Sequence, residues 1–240
     1  MPPMRLPHFP LHVVLFPHLP LPINVFEERY RAMAADLVAD GSPYGGRFVV
    51  SMITDGHEVG GDAATQPIGT VCEVRNAEHL SDGRWLLLVV GVARARLGAV
   101  DRSGAYALVE VDEIEERIGD DAATLVPAVQ RALDDYLATV KRFVARATSV
   151  EEHAQETRDV TATLDEVLKP IHLPDDPVAA SYAVAGVVQV ELNRKQQLLE
   201  LPDAAERLRA ELEMLRRETL LLDNGAMSPV PPSSLGYHPN

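Results

Sequence analysis

Cysteine occurs once in the 240 residues, tryptophan once and lysine three times. The lone thiol, Cys72, excludes an intramolecular disulfide and a cysteine-rich zinc centre. The lysines are Lys141, Lys169 and Lys195, and none follows a glycine. A phosphate-cradling G-x-x-x-x-G-K-[ST] loop is therefore missing, as is a G-x-G-x-x-G after a strand, which excludes Walker-type ATPase activity. Basic residues are in deficit: 36 acidic side chains against 22 basic ones leave a net charge of −14. Both halves share the deficit, with 16 acids and 10 bases in residues 1–118 and 20 and 12 in the remainder. Binding to nucleic acid by counterion release needs clustered Lys and Arg, so nucleic acid is not the expected partner. Anionic membrane surfaces are disfavoured for the same reason. Long apolar runs are also lacking. The longest, Pro177–Val190, has 14 residues, short of the roughly 20 that span a bilayer. Pro7, Pro10, Pro17, Pro20 and Pro22 interrupt the apolar N-terminus, and no A-x-A-like cleavage site follows, so no signal peptide and a cytoplasmic location are expected.

Catalytic and metal-binding patterns are equally scarce. No serine occupies a G-x-S-x-G elbow, and Ser103 in Arg102-Ser103-Gly104 belongs to a turn. His8 and His12 are four residues apart with His18 nearby, but Pro10 prevents the helix that would align two imidazoles. His57-Glu58 lacks the second histidine of H-E-x-x-H. Glu151-Glu152-His153 opens a helix, where acids suit the macrodipole. The alternating acids Glu110, Asp112, Glu113, Glu115 and Glu116 read as a solvated strand end. No catalytic residue, metal site or cofactor is expected.

What is present is a globular composition, 46% hydrophobic and 24% charged, with ample chain to bury a core. Apolar runs predict strands at Leu11–Leu15 and Leu21–Phe26, separated by a loop that holds two prolines, Phe16-Pro17-His18-Leu19-Pro20. Glu27–Ala39 has helical spacing, with Tyr30, Met33, Ala34, Leu37 and Val38 on one side. Strands are expected over Arg47–Ile53, Ile68–Ala77, Arg84–Val92, Ala93–Val100 and Tyr106–Ile114, with a tight hairpin at Ser81-Asp82-Gly83-Arg84. Cys72 shares a strand face with Ile68, Thr70 and Val74 and reads as a small buried hydrophobe.

After Asp120 the period changes. Pro127–Ala147 carries an apolar stripe through Val129, Leu133, Tyr136, Leu137, Val140 and Phe143. A second helix is expected from Ser149 to about Leu168, ended by Lys169-Pro170. Asp176-Pro177 is an N-cap signal for a helix over Val178–Val190 that is apolar on every face. Asp203 opens a last helix, with Ala205, Leu208, Leu212 and Leu215 on one side. The expected fold class is α+β: a mostly antiparallel β-barrel with one inserted helix over residues 1–117, then an α-helical bundle over 118–222. Residues 223–240 read as a disordered, proline-rich tail.

The segment Phe16-Pro17-His18-Leu19-Pro20-Leu21-Pro22 gathers apolar side chains that cannot all face one core. Two readings stay open: a plug folded onto the sheet, or an exposed patch for another chain. On the second, Phe16, Pro17, Leu19, Leu21 and Pro22 are the candidate peptide contacts.

The same residues carry a family resemblance. Leu6-Pro7-His8-Phe9-Pro10-Leu11, Val14-Leu15-Phe16-Pro17 and Leu21-Pro22-Ile23-Asn24-Val25-Phe26-Glu27-Glu28-Arg29-Tyr30 resemble the opening of the Lon protease N-terminal domain, roughly L-P-L-F-P-L, V-L-F-P-G and L-P-L-x-I-F-E-x-R-Y. Ile68-Gly69-Thr70, Asp82-Gly83-Arg84 and Gly91-Val92-Ala93-Arg94 are similar to later family elements, and so is Gln197-Leu198-Leu199-Glu200 with Glu206-Arg207-Leu208. The resemblance covers roughly residues 4–215. His18 stands where the family has glycine after F-P.

The resemblance implies a PUA-like barrel followed by a helical bundle, with Phe26, Glu27, Arg29 and Tyr30 as a structural motif tying the first helix to the barrel. It also implies a non-enzymatic, free-standing substrate-recognition module, because the chain ends before the ATPase and Ser–Lys peptidase regions of the family. The expected partners are unfolded or partly unfolded protein clients, with a protease or chaperone served as an adaptor. The alternatives are a subunit whose peptidase function another chain completes, and RNA binding through the PUA-like fold.

Overall fold

The computed structural model describes residues 4–57, 63–148 and 171–224. Its strands are β1 (Met4–Leu11), β2 (Pro20–Val25), β3 (Arg47–Asp55), β4 (Ala64–Thr65), β5 (Ile68–His79), β6 (Trp85–Asp101) and β7 (Leu108–Glu113). Its helices are α1 (Glu28–Val38), α2 (Ala122–Thr148), α3 (Pro177–Val187), α4 (Leu192–Glu200) and α5 (Ala204–Asp223). The chain divides into two compact units, one formed by Met1–Glu116 with Glu191–Glu200 and the other by Arg117–Val190 with Leu201–Asn240. The helix expected from Ser149 to Leu168 and the tail beyond residue 224 lie outside the described residues.

In the first unit the strands run β1-β7-β6-β5-β3-β4, with β2 added on β6, and β1 also pairs with β3. The pairing β1-β7-β6-β5-β3 thus returns to its starting strand. Every pair is antiparallel except β1–β3. Leu6, Val49, Val71, Ala95 and Val109, one from each strand of that circuit, cluster on one face. On the other face Phe9, Phe48, Cys72, Leu87 and Val89 meet Ile23 and Val25 of β2 and Tyr30, Met33 and Leu37 of α1. Strands covered on both faces explain the continuous apolar run in β3. The Ser81–Arg84 turn forms as the sequence predicts, with Leu80 N–H donating to Arg84 O at 2.8 Å and Gly83 at φ 84°.

Several boundaries differ from the sequence reading. The first strand is Met4–Leu11, not Leu11–Leu15, although it contains Pro7 and Pro10. The N–H of His8 donates to Ala107 O at 2.9 Å, so the nitrogen of Pro7, one residue earlier, faces away from β7 and no bond to that strand is lost. Val38, expected in the inward stripe of α1, ends the helix exposed. The two strands expected over residues 84–100 are one strand of 17 residues. It bends through register shifts opposite β5 and against β7. Gly91 does not break it. A Cβ there would lie 2.5 Å from Phe16 O, so glycine is what lets the 16–19 loop lie against β6. His18 N–H donates to Gly91 O at 2.8 Å, and Gly91 N–H donates to Leu19 O at 3.0 Å.

Helix α4, which the sequence reading did not separate as a helix, is held to the first unit by polar contacts. Arg94 on β6 is only 1% exposed. Its Nε and Nη2 donate to Glu116 Oε1 and Oε2 at 2.6 and 3.2 Å, and its Nη1 donates to Leu199 O at 2.8 Å. Gln196 Nε2 donates to Ile68 O at 3.0 Å.

In the second unit α2 begins five residues before Pro127, earlier than its stripe suggested. Asp121 O accepts from Thr124 and Leu125 N–H at 3.0 and 3.2 Å and so starts the helix. Val129, Leu133, Tyr136 and Leu137 pack with Val184, Val188, Ala205, Leu208 and Leu215. Asp176 caps α3 by accepting from Ala179 N–H at 3.0 Å, and Asp203 caps α5 by accepting from Glu206 N–H at 2.8 Å. Helix α5 also buries charge: Arg207 and Glu211 are fully enclosed. Arg207 Nε donates to Ser181 Oγ at 2.8 Å, and its guanidinium lies 4.1 Å above the Tyr182 ring. Burial pushes the Glu211 carboxyl well above the usual range, with Arg207 pulling the other way.

Three outcomes follow from this packing. Gly91→Ala must displace the 16–19 loop and is expected to lower stability by about 1–3 kcal/mol in urea denaturation. Cys72 is fully buried, and burial pushes its thiol up to about 12. It should therefore resist thiol reagents until the protein unfolds. Glu211 favours its protonated form when folded, so its contribution to stability should fall as pH rises above the unfolded carboxyl value of about 4.3. Glu211→Gln should flatten that part of the stability-versus-pH curve and leave stability near pH 4 unchanged.

Candidate functional site

Strands β2, β6 and β5 lie side by side, and their alternation sorts side chains onto two faces. Ile23 opposite Leu87, and Leu87 opposite Ala77, form a row turned to the core. The adjacent rows face outward: Pro22–Leu88–Asn76 and Asn24–Leu86–Glu78. Leu86 and Leu88 are 41% and 42% exposed, and Phe26, just after β2, is 51% exposed. With the exposed prolines 20 and 22 they make a contiguous apolar patch, which is more informative than a single exposed leucine.

The β2 edge beside this patch has an unusual backbone. Among the described residues β2 pairs only with β6, and the ladder runs without a break from Pro20 opposite Val90 to Val25 opposite Trp85. Proline has no N–H, so an intact ladder requires the nitrogens of Pro20 and Pro22 to face the free edge. A small cleft of about 70 Å³ lies at the end of β2, lined by Phe9, Pro10, Leu11, Ile23, Phe26 and Tyr30 among others.

The residues singled out from the sequence divide between core and surface. Phe16 is 1% exposed, and Pro17 is buried and bridged to Gly91. Leu19 and Leu21 are half-buried against the core, and Pro22 is exposed beside Leu88. The start of the loop is therefore folded down. His18 holds φ at 67°, the left-handed backbone that glycine adopts most readily, so the turn keeps a glycine-like shape without glycine. In the Phe26–Tyr30 block, Glu27 precedes α1 and pairs with Arg29 at 3.2 Å. Arg29 lies 4.5 Å over the Tyr30 ring, and Tyr30 meets Phe9 edge-on at 4.3 Å.

Leu86 and Leu88 were not foreseen. Trp85-Leu86-Leu87-Leu88-Val89-Val90 is apolar throughout, so its own alternation does not show which residues face outward. The available signal was the polar Asn76 and Glu78 that stand opposite them on β5. Among the described residues no group of three or more His, Cys, Asp or Glu is placed to hold a metal ion, and no helix is long and apolar enough to cross a membrane.

Residues 5–217 match the family model described as the ATP-dependent protease La (LON) substrate-binding domain. The chain belongs to the Lon substrate-binding domain family. It is 31% identical to a Lon protease of Nitratidesulfovibrio vulgaris, over 86% of this chain and 23% of that protein. It is 28% identical to Lon protease 2 of Myxococcus xanthus, over 92% of this chain and 25% of that protein. The chain thus spans about a quarter of the length of these Lon relatives. In fold it is similar to the N-terminal domain of Mycobacterium avium complex Lon protease, with a TM-score of 0.58 and 19% identity over 89% of this chain and 98% of that one. A Lon N-terminal domain protein from Xanthomonas campestris gives a TM-score of 0.57 and 20% identity, over 88% and 98%.

The division between core and surface residues sets opposite expectations for substitution. Phe16→Ala should cost about 3–5 kcal/mol in denaturant melts. Leu88→Asp, on the outward row, should change stability by less than about 0.5 kcal/mol.

Proposed function

We propose that the first unit is a PUA-like barrel that recognises unfolded or exposed apolar segments of other proteins through the outward face of β2 and β6. The observation that carries this reading is the pair Leu86 and Leu88, held two-fifths exposed beside Pro20 and Pro22 on the sheet. Membership of a family described as substrate-binding supports a protein ligand. Among the residues proposed from the sequence, Pro22 touches the client directly and Leu19 and Leu21 border the contact. Phe16 and Pro17 hold the loop in place from the core.

The role is recognition without catalysis, in the cytoplasm. The chain acts as an adaptor that brings clients to an ATP-dependent protease, and the helices of the second unit form a bundle. The net charge of −14 weighs against RNA as the ligand of the PUA-like fold.

Fluorescence anisotropy with labelled unfolded polypeptides and a folded control tests the reading. Selective binding of the unfolded chains, without cleavage on a gel of the same samples, is expected. Leu88→Asp should weaken binding about tenfold, the scale of one well-packed apolar anchor. Unchanged affinity in that variant, with the fold intact, would remove the face from consideration.

A further inference from the structure

The second unit presents a groove of its own. In it α2 and α5 run side by side in the same direction. Near their starts Ala205 N–H donates to Ile118 O at 3.0 Å, and near their ends Arg142 Nη2 donates to Asp223 Oδ1 at 3.2 Å. Between them lies an open groove of about 480 Å³, lined by Ala128, Arg131, Ala132, Asp135, Arg216 and Leu220 among others. The lining residues of α2 recur three and four apart, so they form one stripe along the helix. Ala128 and Ala132 keep that stripe low. Leu220 stands on the facing wall and is 63% exposed, more than any other large apolar side chain among the described residues.

The charges on this face have no partners within the chain. Arg131 and Asp135 on α2 and Glu213 and Arg216 on α5 are exposed. Among the described residues none of the four side chains makes a hydrogen bond or an ion pair. Two are positive and two negative, so the face itself is neutral in a chain of net charge −14. Here, more than elsewhere on the surface, a second copy can approach without repulsion.

The order of the signs identifies the occupant. A closed pair of identical chains uses one surface twice, so that whatever a residue meets on the partner meets that residue in return. With α2 laid antiparallel on the partner's α2 about Leu133, Arg131 meets the partner's Asp135 and Asp135 meets the partner's Arg131. On α5, Glu213 and Arg216 exchange in the same way about a midpoint between Met214 and Leu215. Leu133 stands nine residues before Arg142, and the second midpoint eight to nine before Asp223. The Arg142–Asp223 pair therefore brings both midpoints to one level, and a single two-fold axis satisfies all four charges. The same axis carries Leu220 to the level of the partner's Ala128, where the small side chain leaves room for it. Laying α2 over the partner's α5 instead would align the dipoles of all four helices and take Leu220 away from that hollow.

We propose that this groove is the interface of a two-fold dimer, filled by the same face of a second copy of this chain. The contact closes on itself and stops at two copies. It involves the second unit alone and stands apart from client binding.

Sedimentation velocity on the full chain over about 1–100 µM reads the dimer directly. A reversible monomer–dimer equilibrium is expected. Arg131→Asp and Asp135→Arg each set like charges against one another twice, and each should weaken dimerisation at least about tenfold. An equal mixture of these two variants should recover the dimer, because in the mixed pair every contact between these positions again joins opposite charges. Leu220→Asp should weaken the dimer about tenfold. All three positions are exposed, and unchanged circular dichroism and melting establish that each variant is folded.

A chain that stays monomeric at about 100 µM would overturn the dimer. So would a dimer that ignores both charge reversals. Loss of the dimer in each variant, with no recovery on mixing, would overturn the pairing of α2 with α2. Leu88→Asp should leave the dimer intact whatever it does to client binding. A dimer that depends on Leu88 and not on Leu220 would move self-association to the β2–β6 face and overturn this groove.

Discussion

A guanidinium enclosed by protein must have acceptors for its donors, because leaving a buried charge uncompensated costs several kcal/mol. Arg94 meets that demand with both carboxylate oxygens of Glu116 and the carbonyl of Leu199. Arg94 and these two residues belong to segments remote in sequence: β6, the chain leaving β7, and the last turn of α4. A cation against the final carbonyls of a helix is also favoured by the helix dipole. This one side chain therefore ties α4 to the sheet and stiffens the middle of the longest strand.

The rest of the site is built outward from that strand. Three residues before Arg94, Gly91 admits the 16–19 loop, and Phe16 closes the core beneath it. The loop then delivers the chain into β2 in register with β6, which sets Pro20 and Pro22 beside Val90 and Leu88. The leucines stay outward because Leu87 and Val89 are fixed inward against α1 and Phe48. A one-residue slip would bury Leu86 and Leu88 and expose Leu87 and Val89, so the same packing that stabilises the unit specifies the patch.

The parts of the fold that were legible in the sequence are those with local chemical causes. The Asp82-Gly83 turn, the Asp176 and Asp203 caps, helix α1 and the apolar α3 each follow from residues within a few positions of one another. The parts that were not legible depend on partners far along the chain. Pro7 and Pro10 argue locally against a strand, yet β1 forms because its ladder bonds fall on other residues. Gly91 gives no local sign of its role, because the loop that requires it lies some 70 residues earlier. Arg207 and Glu211 carry no local signal of burial, which depends on packing against segments such as Ser181 and Tyr182. The candidate site divides the same way. Its proline loop was visible as an anomaly, whereas the leucines across the ladder lie in a run that is apolar at every position.

The prolines of β2 have a consequence for how the protein behaves among copies of itself. An unpaired strand next to an apolar patch is ordinarily an invitation to polymerise, since a second sheet can extend the ladder through the vacant donors. Here two of the outward positions have no donor to offer, and like-charged copies repel at a net charge of −14. The apolar patch can therefore stay exposed without offering a complete edge for assembly into fibres.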